Sequence, residues 1–261
     1  MDELNISAIK KYIQFPCEIA AIDTSPSTNM DVKRLGKEGA PEGTVLITEH
    51  QTAGRGRLGK QFFSPRGCGL YFSVLLRPVL PAKDAVLITV AAAVAMKRAV
   101  KSLTNLDTQI KWVNDIYGNN KKFCGILTEA ALSPQGGISY AVLGVGVNLL
   151  PPPGGYPDDF AMRTTNLWEL TNGTLPKDLK NQLISAFLNA FFDCYKNLGE
   201  KAYLAEYRAA SCLIGKEIEI LSGCFTGPAV ALDIDDNANL VAQLPSGKTV
   251  TLSSGDVSIR I

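Results

Sequence analysis

The sequence predicts an α+β protein: a mixed β-sheet flanked by helices, followed by a small C-terminal β-barrel. Three observations lead there. From Cys17 to Ser211 apolar strand-like runs mix with long helical patterns. After Leu213 the texture changes to short, closely spaced strand candidates. A length of 261 residues with 46% hydrophobic residues gives room for one large domain or two unequal ones. The predicted division is a lead segment 1–16, a main domain 17–212 and a terminal module 213–261.

Taken in chain order, Cys17 to Ile22 and Thr44 to Glu49 read as strands, with a helix from Thr28 to Lys37 between them that Ser27 or Thr28 would cap. Leu70 to Leu76 is a third strand. Ala82 to Leu103 is a helix laid on a sheet, because Val86, Leu87, Val90, Val94 and the alanines between them follow helical spacing. Gln109 to Val113 and Cys124 to Ala130 flank a hairpin signal at Gly118-Asn119-Asn120, and Ser139 to Asn148 is a further strand. The proline-rich stretch Leu150 to Asp159 is a surface loop, and Lys177 to Asn197 a helix. Lys216 to Leu221, Pro228 to Ile234, Asn239 to Gln243, Thr249 to Leu252 and Val257 to Ile261 form the terminal module.

Composition narrows the chemistry. The longest nearly apolar run, Ala85 to Met96, is well short of the roughly 20 residues that span a bilayer. No basic start with an apolar run opens the chain, so the expected location is cytoplasmic. Six cysteines (Cys17, Cys68, Cys124, Cys194, Cys212, Cys224) show no CxxC pair and read as buried thiols in a reducing compartment. A single histidine, His50, removes most zinc sites and any Ser-His or Cys-His relay that does not use it. With 26 Lys+Arg against 25 Asp+Glu, no global charge draws nucleic acid or membrane, so anions must be handled by local clusters.

Four segments hold such clusters. Gln51-Thr-Ala-Gly54-Arg55-Gly56-Arg57-Leu58-Gly59-Lys60 follows a strand; its glycines let backbone amides approach an anion, and Arg55, Arg57 and Lys60 suit a polyphosphate. A solvated loop has the same composition. It is neither a dinucleotide fingerprint, which needs an acidic residue on the next strand, nor a Walker loop, since Gln61 follows Lys60. In Ile110-Lys111-Trp112-Val113-Asn114-Asp115 and Lys121-Lys122-Phe123-Cys124-Gly125, polar residues gather at strand ends, as hairpin flanks and turn caps also do; Lys122 is a long cation able to reach across a pocket. The alternating glycines of Leu143-Gly144-Val145-Gly146-Val147-Asn148 imply close approach by a ligand or close packing within the sheet, and Asn148 offers a donor and an acceptor to a base edge. Asp23-Thr24-Ser25-Pro26-Ser27-Thr28-Asn29 is a helix start that also suits a small polar head group.

In this order the motifs Ser-Thr-Asn, Gly-Arg-Gly-Arg-x-Gly, Lys-Trp-x-Asn-Asp, Lys-x-x-Gly-Ile-Leu and Gly-x-Gly-x-Asn, then a small barrel, closely resemble the biotin protein ligase (biotin-[acetyl-CoA-carboxylase] ligase, holocarboxylase synthetase) family, from about Cys17 to the C-terminus. The resemblance implies a fold like class II aminoacyl-tRNA synthetases and lipoate ligases, with an SH3-like C-terminal domain. It implies that biotin and ATP give biotinyl-5'-AMP and pyrophosphate, and that biotin then passes to a lysine of a biotin carboxyl carrier protein domain. By the same resemblance Lys122, Arg55 and Asp115 are catalytic. Ser27, Thr28, Asn29, Gln51, Gly54, Arg55, Lys122 and Gly125 bind biotin, and Arg55, Arg57, Lys60, Phe62, Lys111, Asn114 and Asn148 bind ATP, with Mg carried on the ATP phosphates and no dedicated metal cage.

Departures from the pattern are Leu58 and Lys60, where a well-known relative has arginines, and Val113, where bacterial members commonly have proline. About sixteen residues precede the main domain, too few for the DNA-binding winged helix of some relatives, so the expectation is a monofunctional ligase that binds neither DNA nor membrane. Relatives include monomers and homodimers, and the sequence leaves that choice open. The nearest rival is a lipoate-protein ligase, whose Arg-Arg-x-x-Gly-Gly-Gly segment this chain lacks. A non-enzymatic nucleic-acid binder using Gly54 to Lys60 is disfavoured by the balanced charge.

Overall fold

The computed structural model describes residues 3–134, 136–223 and 225–259, so Cys224 and the last two residues of the predicted final strand, Arg260 and Ile261, lie outside the described residues. The larger sheet contains β1 (Glu18–Ile22), β2 (Thr44–Thr48), β3 (Gly69–Leu76), β4 (Gln109–Lys111), β5 (Asp115–Gly118), β6 (Lys121–Leu132) and β7 (Ile138–Asn148), in the order β1-β2-β3-β7-β6-β5-β4. β1 and β2 are parallel, and the other neighbours antiparallel, which makes the sheet mixed as predicted. The helices are α1 (Ile6–Tyr12), α2 (Thr28–Lys37), α3 (Val86–Thr104), the single turns α4 (Asp158–Ala161) and α5 (Leu167–Leu170), α6 (Leu179–Lys196) and α7 (Tyr203–Ala209).

Period-two alternation sends two sets of side chains to opposite faces of the sheet. Leu70, Phe72, Val74 and Leu76 of β3, Ala141, Leu143, Val145 and Val147 of β7, and Cys124 and Ile126 of β6 join the main core beneath α3 and α6. The opposite face carries Leu46, Leu75 and Val142, which α2 covers through Val32. Further along that face come Tyr71, Ser73, Gly144, Gly146, Asn148, Gly125, Leu127 and Glu129, and here loops replace the helix. Register sets them in two rows: Ser73, Gly144 and Leu127, then Tyr71, Gly146 and Gly125.

The structure adds four short helices, α1, α4, α5 and α7, that periodicity over so few residues does not reveal. A seven-residue helix is not self-sustaining. α1 is held by tertiary bonds from α6: Asn5 N donates to Asn181 Oδ1 (2.9 Å), Ser185 Oγ to Ile9 O (3.1 Å) and Asn189 Nδ2 to Tyr12 O (2.7 Å), while Ile9 enters the core. The predicted helix from Ala82 begins instead with a 3-10 turn, Ala82–Ala85, ahead of α3.

The C-terminal strands β8 (Glu217–Ser222), β9 (Gly227–Ile234), β10 (Leu240–Gln243), β11 (Thr249–Leu252) and β12 (Asp256–Ile259) form a separate antiparallel sheet in the order β11-β10-β9-β8-β12. Trp112 Nε1 donates to Ala238 O (2.8 Å) and Arg208 Nη2 to Asp236 Oδ1 (2.5 Å), which ties this sheet to the larger unit. Cys68, Cys124, Cys194 and Cys212 are buried and Cys17 half-buried; burial pushes the Cys17 and Cys212 thiols up to about 11, away from reactivity at neutral pH. Among the described residues no helix is long and apolar enough to cross a membrane.

Candidate active site

Two loops cover the open face. Ser25 N donates to His50 O, Thr52 N to Ser25 O and Ala53 N to Pro26 O, so segments 23–29 and 50–53 run side by side. The sequence assigns the α2 cap to Ser27 or Thr28, yet Ser27 makes no side-chain cap bond. Gln51 takes over: its Oε1 accepts from Thr28 N (3.0 Å) and Oγ1 (3.3 Å), and its Nε2 donates to Ser64 Oγ (3.1 Å), which donates to Phe62 O (2.9 Å). His50 Nδ1 lies 3.4 Å from Thr24 Oγ1.

Asn29 is buried and satisfied by the protein. Its Nδ2 donates to Leu127 O (3.2 Å) and Glu129 Oε2 (3.0 Å), and its Oδ1 accepts from the buried Ser73 Oγ (2.6 Å). It sits on Gly144 so closely that a Cβ there would overlap Oδ1. In the second row Phe62 lies on Gly146 and Gly125, where added Cβ atoms would meet its ring at 2.7 and 3.0 Å, and it meets Tyr71 edge-on at 6.2 Å. Of the two explanations for the alternating glycines, close packing by loop side chains is therefore present.

The glycine-rich loop fans its cations apart. Arg55 Nη1 lies 3.3 Å from Glu129 Oε1, Arg57 Nη1 donates to Asn114 Oδ1 (3.3 Å), and Lys60 pairs with Asp256 of the C-terminal sheet. The amides of Gly56 and Lys60 bond within the loop, to Lys60 O and Arg57 O, and are not left free for an anion. Leu58 stands half-turned into the left-handed region (φ 56°) with its side chain in solvent. Burial opposes ionisation of Asp256, but Lys60, aided by Lys111 and Arg57, outweighs it and holds the carboxyl below its ordinary range.

Across the face, β6 presents Lys122 Nζ 2.6 Å from Asp115 Oδ1, an oxygen fully enclosed by protein, and 5.7 Å from the Phe62 ring centre. Phe62 N donates to Gly54 O, so the loop's backbone and Lys122 border the same space. Burial pushes the Lys111 ammonium below its usual range, against the pull of Asp115 and Asp256. Asn114 Nδ2 donates to Ile126 O (2.7 Å), and Asn148 Nδ2 donates to Thr165 O (3.1 Å), leaving the Asn148 carbonyl oxygen as its unassigned function. The peptide between Trp112 and Val113 is cis.

The sequence brings most of these residues forward but misses four: Ser73, Ser64, Glu129 and Asp256. Ser73 has a signal, a hydroxyl in an otherwise apolar eight-residue strand, and Glu129 another, an acid two-residue steps from Gly125 on the open face. Asp256 has none.

Known proteins resemble the chain in both of its parts. The profile of the biotin/lipoate A/B protein ligase family matches residues 19–148, and that of the biotin protein ligase C terminal domain residues 213–260. The bifunctional ligase/repressor BirA of Bacillus subtilis is 30% identical over 227 residues, 86% of this chain and 69% of that protein. The biotin--[acetyl-CoA-carboxylase] ligase of Mycobacterium tuberculosis is 32% identical over 249 residues, 92% and 88%. Biotin protein ligase from Aquifex aeolicus, solved in complex with biotin and ATP, shares the fold with a TM-score of 0.74 at 24% identity, over 93% of this chain and 98% of that one.

Proposed function

The chain belongs to the biotin/lipoate A/B protein ligase family, and from that premise we propose that it is a biotin protein ligase, which activates biotin with ATP and transfers it to one lysine of a biotin carboxyl carrier protein domain. The observation that carries this reading is the placing of Lys122 and Asp115 beside the cationic 54–60 loop, over a floor of Gly125 and Gly146.

In the first half-reaction a biotin carboxylate oxygen attacks the α-phosphorus of ATP, the bond to the β-phosphate breaks, and pyrophosphate leaves. Two anions must meet, and charge grows on the leaving group, so preorganised cations lower the barrier. Lys122 stands between carboxylate and α-phosphate. Arg57, Lys60 and Lys111, with Asn114, serve the phosphates, and their link to Asp256 gives the C-terminal sheet a part at the nucleotide end. The Asn148 carbonyl suits the adenine amino group, and Phe62 forms the aromatic wall. Ser27, Thr28 and Gln51 surround the head of biotin, with Asn29 fixing their frame and Arg55 toward the acid end.

In the second half-reaction the acceptor lysine loses a proton, its amine attacks the acyl carbon, and AMP departs. Asp115 is the carboxylate positioned for that proton. A magnesium ion would be held by the nucleotide phosphates, since Glu129, Asp115 and Asp256 are each engaged by a cation. Such an ion supplies charge neutralisation. Residues 17–212 form the catalytic domain, and the alternating burial of Ile218, Ile220, Ala229, Ala231, Leu240 and Ala242 supports an SH3-like module over 213–261.

Pyrophosphate exchange into ATP, run with biotin, with lipoate and with neither, is expected to depend on biotin alone. Exchange driven by lipoate would make the chain a lipoate-protein ligase, and silence in every arm would remove the ligase reading.

A further inference from the structure

Glu129 belongs to no motif that led to the site, yet it touches both halves of it. Strand alternation puts it on the open face, four residues beyond Gly125. Its two carboxylate oxygens serve different elements: Oε2 accepts from Asn29 Nδ2 at the head of α2 (3.0 Å), and Oε1 lies 3.3 Å from Arg55 Nη1 on the glycine-rich loop. Asn29 is immobilised by Ser73, Leu127 O and Gly144. Glu129 is thus anchored on a rigid partner and extends that rigidity to a loop cation.

The shortest approach between the two is Arg55 Nη1 to Glu129 Oε1, and this is Arg55's one ion pair among the described residues. A guanidinium carries five N–H donors in a planar fork, more than one carboxylate can occupy, so pairing with Glu129 leaves donors for a second anion.

We propose that Glu129 is a positioning residue for the acid end of biotin: it aims the Arg55 guanidinium so that its remaining donors take the substrate carboxylate. The inference rests on the biotin reading above and assigns Arg55 to the vitamin's carboxylate. An alternative role is decided by sign. If Glu129 were merely a negative charge beside the carboxylate, neutralising it would tighten biotin; if it aims Arg55, neutralising it weakens biotin. Held on a partly exposed loop, Arg55 loses its aim without the fold losing much, since an ion pair of this exposure contributes little to stability.

The test is calorimetric titration of the full chain with biotin and with biotinol, in which a hydroxyl replaces the carboxylate. Glu129→Gln keeps an acceptor for Asn29 and turns an NH2 toward Arg55. It is expected to weaken biotin about tenfold, in keeping with the cost of misplacing a binding group, to leave biotinol and the thermal midpoint unchanged, and to have no further effect in an Arg55→Ala background. Tighter biotin binding, equal weakening of biotin and biotinol, or full additivity with Arg55→Ala would overturn the role of Glu129 while leaving the ligase reading in place. Failure of the unsubstituted protein to bind either compound would overturn both.

Discussion

Lys122→Ala slows biotin-dependent pyrophosphate exchange by a hundredfold to a thousandfold, the roughly 3 to 4 kcal/mol that follows from deleting one preorganised charge facing a transition state in a water-poor site. The ammonium stands over Gly125, pairs with Asp115 and borders Phe62, so its removal takes away the cation that lies directly on the glycine floor. Folding survives the change. Both side chains keep part of their surface in solvent, but Asp115 Oδ1 is enclosed and loses its cation, so the thermal midpoint falls while the fold is retained. The thermal midpoint, measured beside the exchange rate, separates a chemical loss from an unfolded protein. Near-normal exchange would take Lys122 out of the reaction.

The second large effect is expected from a single methyl group. Gly144→Ala places a Cβ inside the contact distance of Asn29 Oδ1, and Asn29 has no free direction in which to retreat. It is bonded to Leu127 O, Glu129 and Ser73 and is buried between α2 and the sheet. Overpacking of this kind costs about 1 to 3 kcal/mol, and the Ser73 hydroxyl, which also reaches Thr28 Oγ1 (2.8 Å), keeps a partner. Biotin affinity should fall at least tenfold together with the thermal midpoint, because the displaced Asn29 carries the Thr28–Gln51 frame with it. Gly199→Ala, where a methyl meets nothing within 4 Å, is the control and should change neither quantity. Wild-type biotin affinity in Gly144→Ala would show that the frame around Asn29 does not support the vitamin site.

Much of this architecture is legible in the chain because hydrophobic period and turn residues are local signals. α2 spans Thr28–Lys37 and β11 spans Thr249–Leu252 just as spacing predicts, and the other long elements shift at their ends by a few residues. α1 escapes notice because its stability comes from Asn181, Ser185 and Asn189, more than 160 positions away. The motif residues announce themselves by clustering. What clustering cannot reveal is direction: Arg55, Arg57 and Lys60 are near neighbours in sequence, yet they turn to Glu129, Asn114 and Asp256 on three different elements. Their partners lie 57 or more positions away, and of the three Asn114 alone, in the turn before β5, carries a local signal. Asn29 reads as a ligand-binding amide from its setting in Ser-Thr-Asn, whereas tertiary packing engages it on every side. The alternating glycines are equally ambiguous in sequence, and only the seating of Asn29 and Phe62 shows what they make room for.

The central claim is that the Lys122 side of the floor brings a carboxylate oxygen onto the α-phosphorus. Biotin labelled with oxygen-18 in its carboxylate tests this directly when it is incubated with the protein, ATP and a carrier domain. The bridging oxygen of the acyl-adenylate leaves with the nucleotide, so the account requires labelled AMP and unlabelled pyrophosphate after transfer. Label in pyrophosphate or in inorganic phosphate, or transfer accompanied by unlabelled AMP, would contradict it.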